Sequence, residues 1–153
     1  MTERKTGGPE LYFPALGGIY EKLTPYTWPL VRVTVGLMLV PHGWMKLIGG
    51  GLEGTARFMA QIGLEPAYPL ALYIALLELV GGVLLALGLF TRPIAVLVVG
   101  FMAVAAYYVH APNGFLWIKS GFEYPLFWVL MAAALAVRGG GPMSLDARLK
   151  RQF

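Results

Sequence analysis

Four long apolar runs divide the chain, over residues 26–48, 69–90, 93–110 and 121–137, each bounded by glycine, proline or charge. At 1.5 Å per residue, a helix of about 18 residues spans about 27 Å, close to the roughly 30 Å hydrocarbon core of a bilayer. The pattern therefore predicts an all-α membrane protein built as a bundle of four transmembrane helices. The Gly49-Gly50-Gly51 run ends the first helix. Residues 52–67 are amphipathic around Phe58, Met59 and Ile62, as expected of a short helix lying on the membrane. Only Thr91-Arg92 separates the second helix from the third, which Pro93 starts, so those two must be antiparallel neighbours. Pro112-Asn113-Gly114 marks a turn, residues 115–118 extend the fourth helix into the interface, and Gly139-Gly140-Gly141-Pro142 closes it. Pro41 should kink the first helix locally. The expected organisation is an N-terminal interfacial segment over 1–25, a four-helix domain over 26–138 and a basic tail over 139–153.

Composition supports the lipid-facing reading. The chain is 58% hydrophobic and 13% charged, against about 45–50% and about 25% in soluble domains. So few charges could not coat a water-exposed surface. The net charge of +4 is spread out, without a basic cluster in a polar context, which excludes nucleic acid as a partner. Cysteine is absent, so disulfides and thiolate metal sites are excluded within the chain, and no metal is expected. The polar start lacks the apolar core of a cleaved signal, so the first helix should direct insertion. Arg4, Lys5, Lys22, Arg92, Arg138, Arg148, Lys150 and Arg151 fall on one predicted side of the membrane, Lys46, Arg57 and Lys119 on the other. Eight cations against three place both termini in the cytoplasm.

Ionisable groups inside a bilayer are expensive and mark functional sites by default. The first helix carries Arg32, His42 and Lys46; the second carries Glu78; Tyr107 and His110 end the third; Glu123 starts the fourth. Counting rise per residue from the cytoplasmic boundary puts Arg32 at ~6 Å, Glu78 at ~16 Å, His42 and Tyr107 at ~21 Å, Glu123 at ~22 Å, His110 at ~25 Å and Lys46 at ~27 Å. All but Arg32 converge on the outer half. Arg32, Gly36, Leu39, Gly43 and Lys46 share one stripe of the first helix, and Ala71, Ala75, Glu78, Gly82 and Leu85 share one of the second. Small residues on both stripes permit close approach. Against a functional role, Arg32 and Lys46 could snorkel to headgroups, His110 and Glu123 could be interface residues, and Glu78 could form a structural pair with His42 or Lys46.

The run RVTVGLMLVPHGWMK from Arg32 to Lys46 resembles the first helix of the DoxX family. ELVGGVLLALGLFTR, from Glu78 to Arg92, is similar to that family's second helix and turn, and GPMSLD, from Gly141 to Asp146, to its usual ending. The resemblance covers roughly residues 28–146. It implies a four-helix protein of the bacterial inner membrane; some members are subunits of thiosulfate:quinone oxidoreductase, and others accompany redox enzymes or methylamine utilisation.

The leading functional expectation is a membrane subunit of a quinone-linked redox system. There Glu78 and His42 are the catalytic candidates, with Glu78 relaying protons and His42 and Tyr107 at the quinone carbonyls. Arg32, Lys46, Tyr107, His110 and Glu123 are the binding candidates. The alternative is a non-catalytic accessory or assembly subunit, whose small-residue stripes and interfacial aromatics are packing surfaces. A haem held by His42 and His110, whose estimated depths differ by ~4–5 Å, and a small-solute transporter are weaker readings. Expected partners are the lipid bilayer and other membrane subunits or further copies of the chain.

Overall fold

The computed structural model describes residues 11–150, which are helical and contain no strand. Arg4, Lys5 and Arg151 lie outside them. Helix α1 runs Gly17–Leu47, α2 Leu52–Gln61, α3 Ala67–Leu87, α4 Thr91–Asn113, α5 Glu123–Arg138 and the short α6 Leu145–Arg148. Helices α3 and α4 are long and apolar enough to cross a membrane, with 39% and 17% of their most apolar windows buried. A soluble core helix would be largely covered. These two leave Val80, Val83, Leu87, Val96, Leu97 and Val104 exposed, a surface suited to acyl chains.

Helix α1 is 31 residues long and passes through Pro25, Pro29 and Pro41 without a break. It starts nine positions before the expected boundary at residue 26, because its first two turns carry polar residues that hydropathy reads as outside the lipid. Thr91 already begins α4, so the α3–α4 turn lies at residues 88–90 rather than at Thr91-Arg92. The predicted surface helix is present as α2. Its Ala56 and Met59 pack on Ala67 and Ala71 at the start of α3.

Helices α1, α3, α4 and α5 pack in a ring in that order. The seam between α1 and α3 is unusually close. A Cβ on Gly36 would stand 2.5 Å from the Gly82 carbonyl oxygen and the Ala86 nitrogen, and one on Gly43 would strike the backbone of Ala75 and Leu79. The stripes read from the sequence form this seam: Arg32, Gly36, Leu39 and Gly43 are buried against Ala71, Ala75, Glu78, Gly82 and Leu85. The main core joins it to α4 and α5 through Leu39, Leu85, Val98, Trp128, Ala132 and Leu135.

At one end of the ring the chain folds back as a clasp. The Asp146 carboxylate accepts from the backbone N–H groups of Phe90 and Thr91 at 2.9 and 3.0 Å, and so caps α4, while its own N–H donates to the Gly88 carbonyl at 2.9 Å. Ser144 caps α6 by accepting from the Ala147 N–H at 3.1 Å. Gly88 adopts φ 73°, and a Cβ there would collide with the Arg32 guanidinium. Trp28 Nε1 donates to the Gly139 carbonyl at 2.8 Å, beneath the Arg138 guanidinium at 4.5 Å from its ring.

Candidate functional site

At the opposite end, α1, α2, the start of α3 and the second half of α4 line a cavity of about 640 Å³. His42, Met45 and Lys46 line it from α1. Thr55, Phe58 and Met59 line it from α2, Ile74 from α3, and Phe101, Val104, Ala105 and Val109 from α4. The wall is overwhelmingly apolar, so its few polar groups stand out.

Lys46 Nζ is 2.5 Å from Glu78 Oε2, and only 3% of the Glu78 surface is exposed. Helix geometry explains why two residues at different sequence depths meet. Cα–Cβ bonds tilt toward the N-terminus of their own helix. Lys46, near the end of α1, therefore leans back toward the middle of the bundle, and Glu78, on the antiparallel α3, leans up toward it. Glu78 also sits in a π-helical stretch, Leu77–Gly81. The wider turn displaces the local backbone, a feature frequent at functional sites. A second π-helical stretch, Ala105–His110, contributes Ala105 and Val109 to the same cavity. His42 faces the cavity within electrostatic range of the Glu78 carboxylate.

The structure thus gathers three of the seven candidates: His42, Lys46 and Glu78. Lys46 does not snorkel; it turns inward to its partner. Tyr107 is 72% exposed, lies outside the cavity lining and stacks edge-on with Tyr108 at 5.3 Å. Helix phase carries Tyr107 outward while Ala105 and Val109 point in. His110 and Glu123 organise the loop between α4 and α5. His110 Nδ1 carries its proton, because it lies 2.7 Å from the Ser120 carbonyl, which can only accept. Glu123 Oε2 accepts from the Trp117 N–H at 3.0 Å. His110 is outside the cavity lining, so the His42–His110 pair does not share that space. Among the described residues, no three His, Asp or Glu side chains converge as a metal site would require.

Arg32 belongs to the clasp at the other end. It is 3% exposed and donates to the Met143 carbonyl at 3.0 Å, within range of the Asp146 charge, instead of reaching headgroups. Sequence reasoning misses the cavity walls from α2 and α4, whose apolar residues carry no chemical label. The amphipathic pattern around Phe58 and Met59 is the available signal. It also misses the capping role of Asp146, although the tail motif contains it.

Together these features define an all-helical membrane protein with a buried amine–carboxylate pair at the wall of an apolar, half-enclosed cavity. The sequence profile of the DoxX family matches residues 27–111, and the chain belongs to that family. It is 33% identical to an uncharacterised protein of Haemophilus influenzae over 129 residues, 82% of this chain and 92% of that one. Inner membrane protein YphA of Escherichia coli is 32% identical over 78% of this chain and 87% of its own length. CatD of Bacillus subtilis, provisionally named an oxidoreductase, is 37% identical over 76% and 82%. No solved structure gives a significant match.

Proposed function

We propose that the chain is a four-span inner-membrane subunit of a quinone-linked redox system, handling the quinone head group and its protons while a separate subunit supplies electrons. The observation that carries this reading is the Lys46–Glu78 pair, held at 2.5 Å beside an apolar cavity that His42 also faces. Reducing a quinone adds two electrons and two protons at its two carbonyl oxygens. Such a site needs N–H donors to hold the carbonyls and a group that can take up and release protons. Lys46 and His42 supply the donors, and Glu78, behind Lys46, is the relay. Lys46 takes the place beside His42 that the sequence pattern assigns to Tyr107. The absence of cysteine leaves the chain no thiolates for an iron–sulfur cluster, which suits an external electron source. The oxidoreductase name of the Bacillus relative supports the same class.

In this reading α1 and α5 cross alongside α3 and α4. Helix α1, about 46 Å long by its rise, exceeds the hydrocarbon thickness, so its first turns lie among the cytoplasmic headgroups. Among the described residues, Lys22, Arg92, Arg138, Arg148 and Lys150 lie toward the clasp end and Lys46, Arg57 and Lys119 toward the cavity end, which supports cytoplasmic termini and a cavity in the outer half of the bilayer.

The test is quinone binding and turnover by the full chain in nanodiscs, alone and with the subunits that co-purify in mild detergent. Wild type should bind a quinone analogue, and Glu78→Gln should retain binding while turnover falls by about 10²-fold or more. A chain that copurifies with a larger complex yet binds no quinone in any preparation overturns the reading in favour of an accessory subunit.

A further inference from the structure

We propose that the cavity is loaded sideways, from the bilayer, with a quinone carrying a long apolar tail, and that Gly54 keeps the entrance open. This rests on the quinone reading above and adds how the substrate arrives and which residue sets the aperture.

The cavity's lining residues that are also exposed are led by His42, Met45, Phe58 and Val104, and these edge its mouth. Val104 lies nine residues before the end of α4 at Asn113, which places it about 13 Å inside that end. A mouth with an edge at that depth opens onto acyl chains rather than water. The volume agrees with partial enclosure. About 640 Å³ falls within the roughly 300–1,000 Å³ of small-molecule pockets, enough for a quinone ring and its first prenyl units. The remainder of a long tail must pass out through the mouth into lipid. A water-borne carrier would instead need a polar entrance, and a small anion would leave the apolar wall uncovered.

Gly54 has no conformational reason to be glycine. It sits inside α2 with a negative φ, and a Cβ there would meet nothing within 4 Å, so close packing does not require it either. It nevertheless lines the cavity, one turn before Phe58 on the same face. Glycine inside a helix costs about 1 kcal/mol relative to alanine. What the missing side chain preserves is open space at the entrance.

The experiment uses the full chain in neutral-lipid nanodiscs, with affinities expressed per mole of lipid so that partitioning cancels. Three probes are compared: a tail-less quinone, a quinone with the same ring and a decyl tail, and the decyl chain without a quinone ring. The tailed quinone should bind about tenfold more tightly than the tail-less one, a gain of about 1.4 kcal/mol that must come from packing of the tail's first carbons on the cavity wall, since transfer from lipid to an apolar cavity is itself neutral. Gly54→Phe should lose that advantage without lowering thermal stability, and Gly54→Ala, which adds one methyl at the entrance, should lose a smaller part of it. Val104→Trp blocks the other edge and gives the same loss independently if Gly54→Phe folds poorly. Tail-less and tailed quinones binding equally, with both blocking variants unaffected, would overturn sideways loading and leave the quinone reading intact. Absence of binding by either quinone would overturn both. Equal binding of the ringless decyl chain would reduce the cavity to an unselective apolar groove and also overturn the proposal.

Discussion

Lys46 and Glu78 are each intolerable to their surroundings alone and tolerable together. Removing one partner leaves a charge stranded among apolar atoms, which costs about 3–5 kcal/mol, whereas replacing both by apolar groups of similar volume is often close to neutral. Lys46→Met alone should therefore lower stability against SDS unfolding by that amount, and Lys46→Met with Glu78→Leu should recover most of it. Recovery of stability without recovery of quinone turnover would separate the pair's structural role from its chemical one. Glu78 is legible in the sequence as a residue needing a partner, because a mid-membrane carboxylate always does. That Lys46 is this partner is not. Depth counting sets the two about 11 Å apart, but Gly43 passes level with Leu79 and Ala75 in the α1–α3 seam, so the helix register removes most of that gap and the opposed lean of the side chains closes the rest.

The α1–α3 seam follows from residue spacing, and the capping of α4 does not. Gly36, Gly43 and Gly82 recur at helical intervals on stripes visible in the sequence, so the closest helix contact is legible from spacing alone. Gly36→Leu should split it, since the nearest atoms are rigid backbone at 2.5 Å. The expected loss is about 1–3 kcal/mol or more, measured as a lower unfolding midpoint with α3 newly accessible to protease. Asp146, in contrast, serves N–H groups 55 and 56 residues upstream. No local periodicity encodes such a contact, and the tail's basic residues point to its net charge instead. Asp146→Ala should cost about 1–2 kcal/mol, as loss of an N-cap does, with Asp146→Asn recovering part of it. The surface helix α2 is legible in position and only partly in role. Its amphipathic pattern declares an apolar face without saying that part of the face lines a cavity.

For the whole molecule, the chain's lack of cysteine makes topology directly measurable. Single cysteines at Gln61 and Arg148, both exposed, should react with an impermeant maleimide from opposite sides: Gln61→Cys in intact cells, Arg148→Cys only after the membrane is opened. Labelling of both from one side would refute the four-span arrangement. Helices α3 and α4 declare themselves by hydropathy alone, whereas α1 spends positions on charge and proline and α5 has 16 residues, so neither does so as plainly. Synthesis imposes a further order on this architecture. The ribosome finishes Thr91 long before it reaches Asp146, so α4 enters the bilayer with its leading amides still turned to water. The clasp is closed only after α5 has been made. A chain cut short before Ser144 would hold every long helix and still leave Arg32 without its counter-charge.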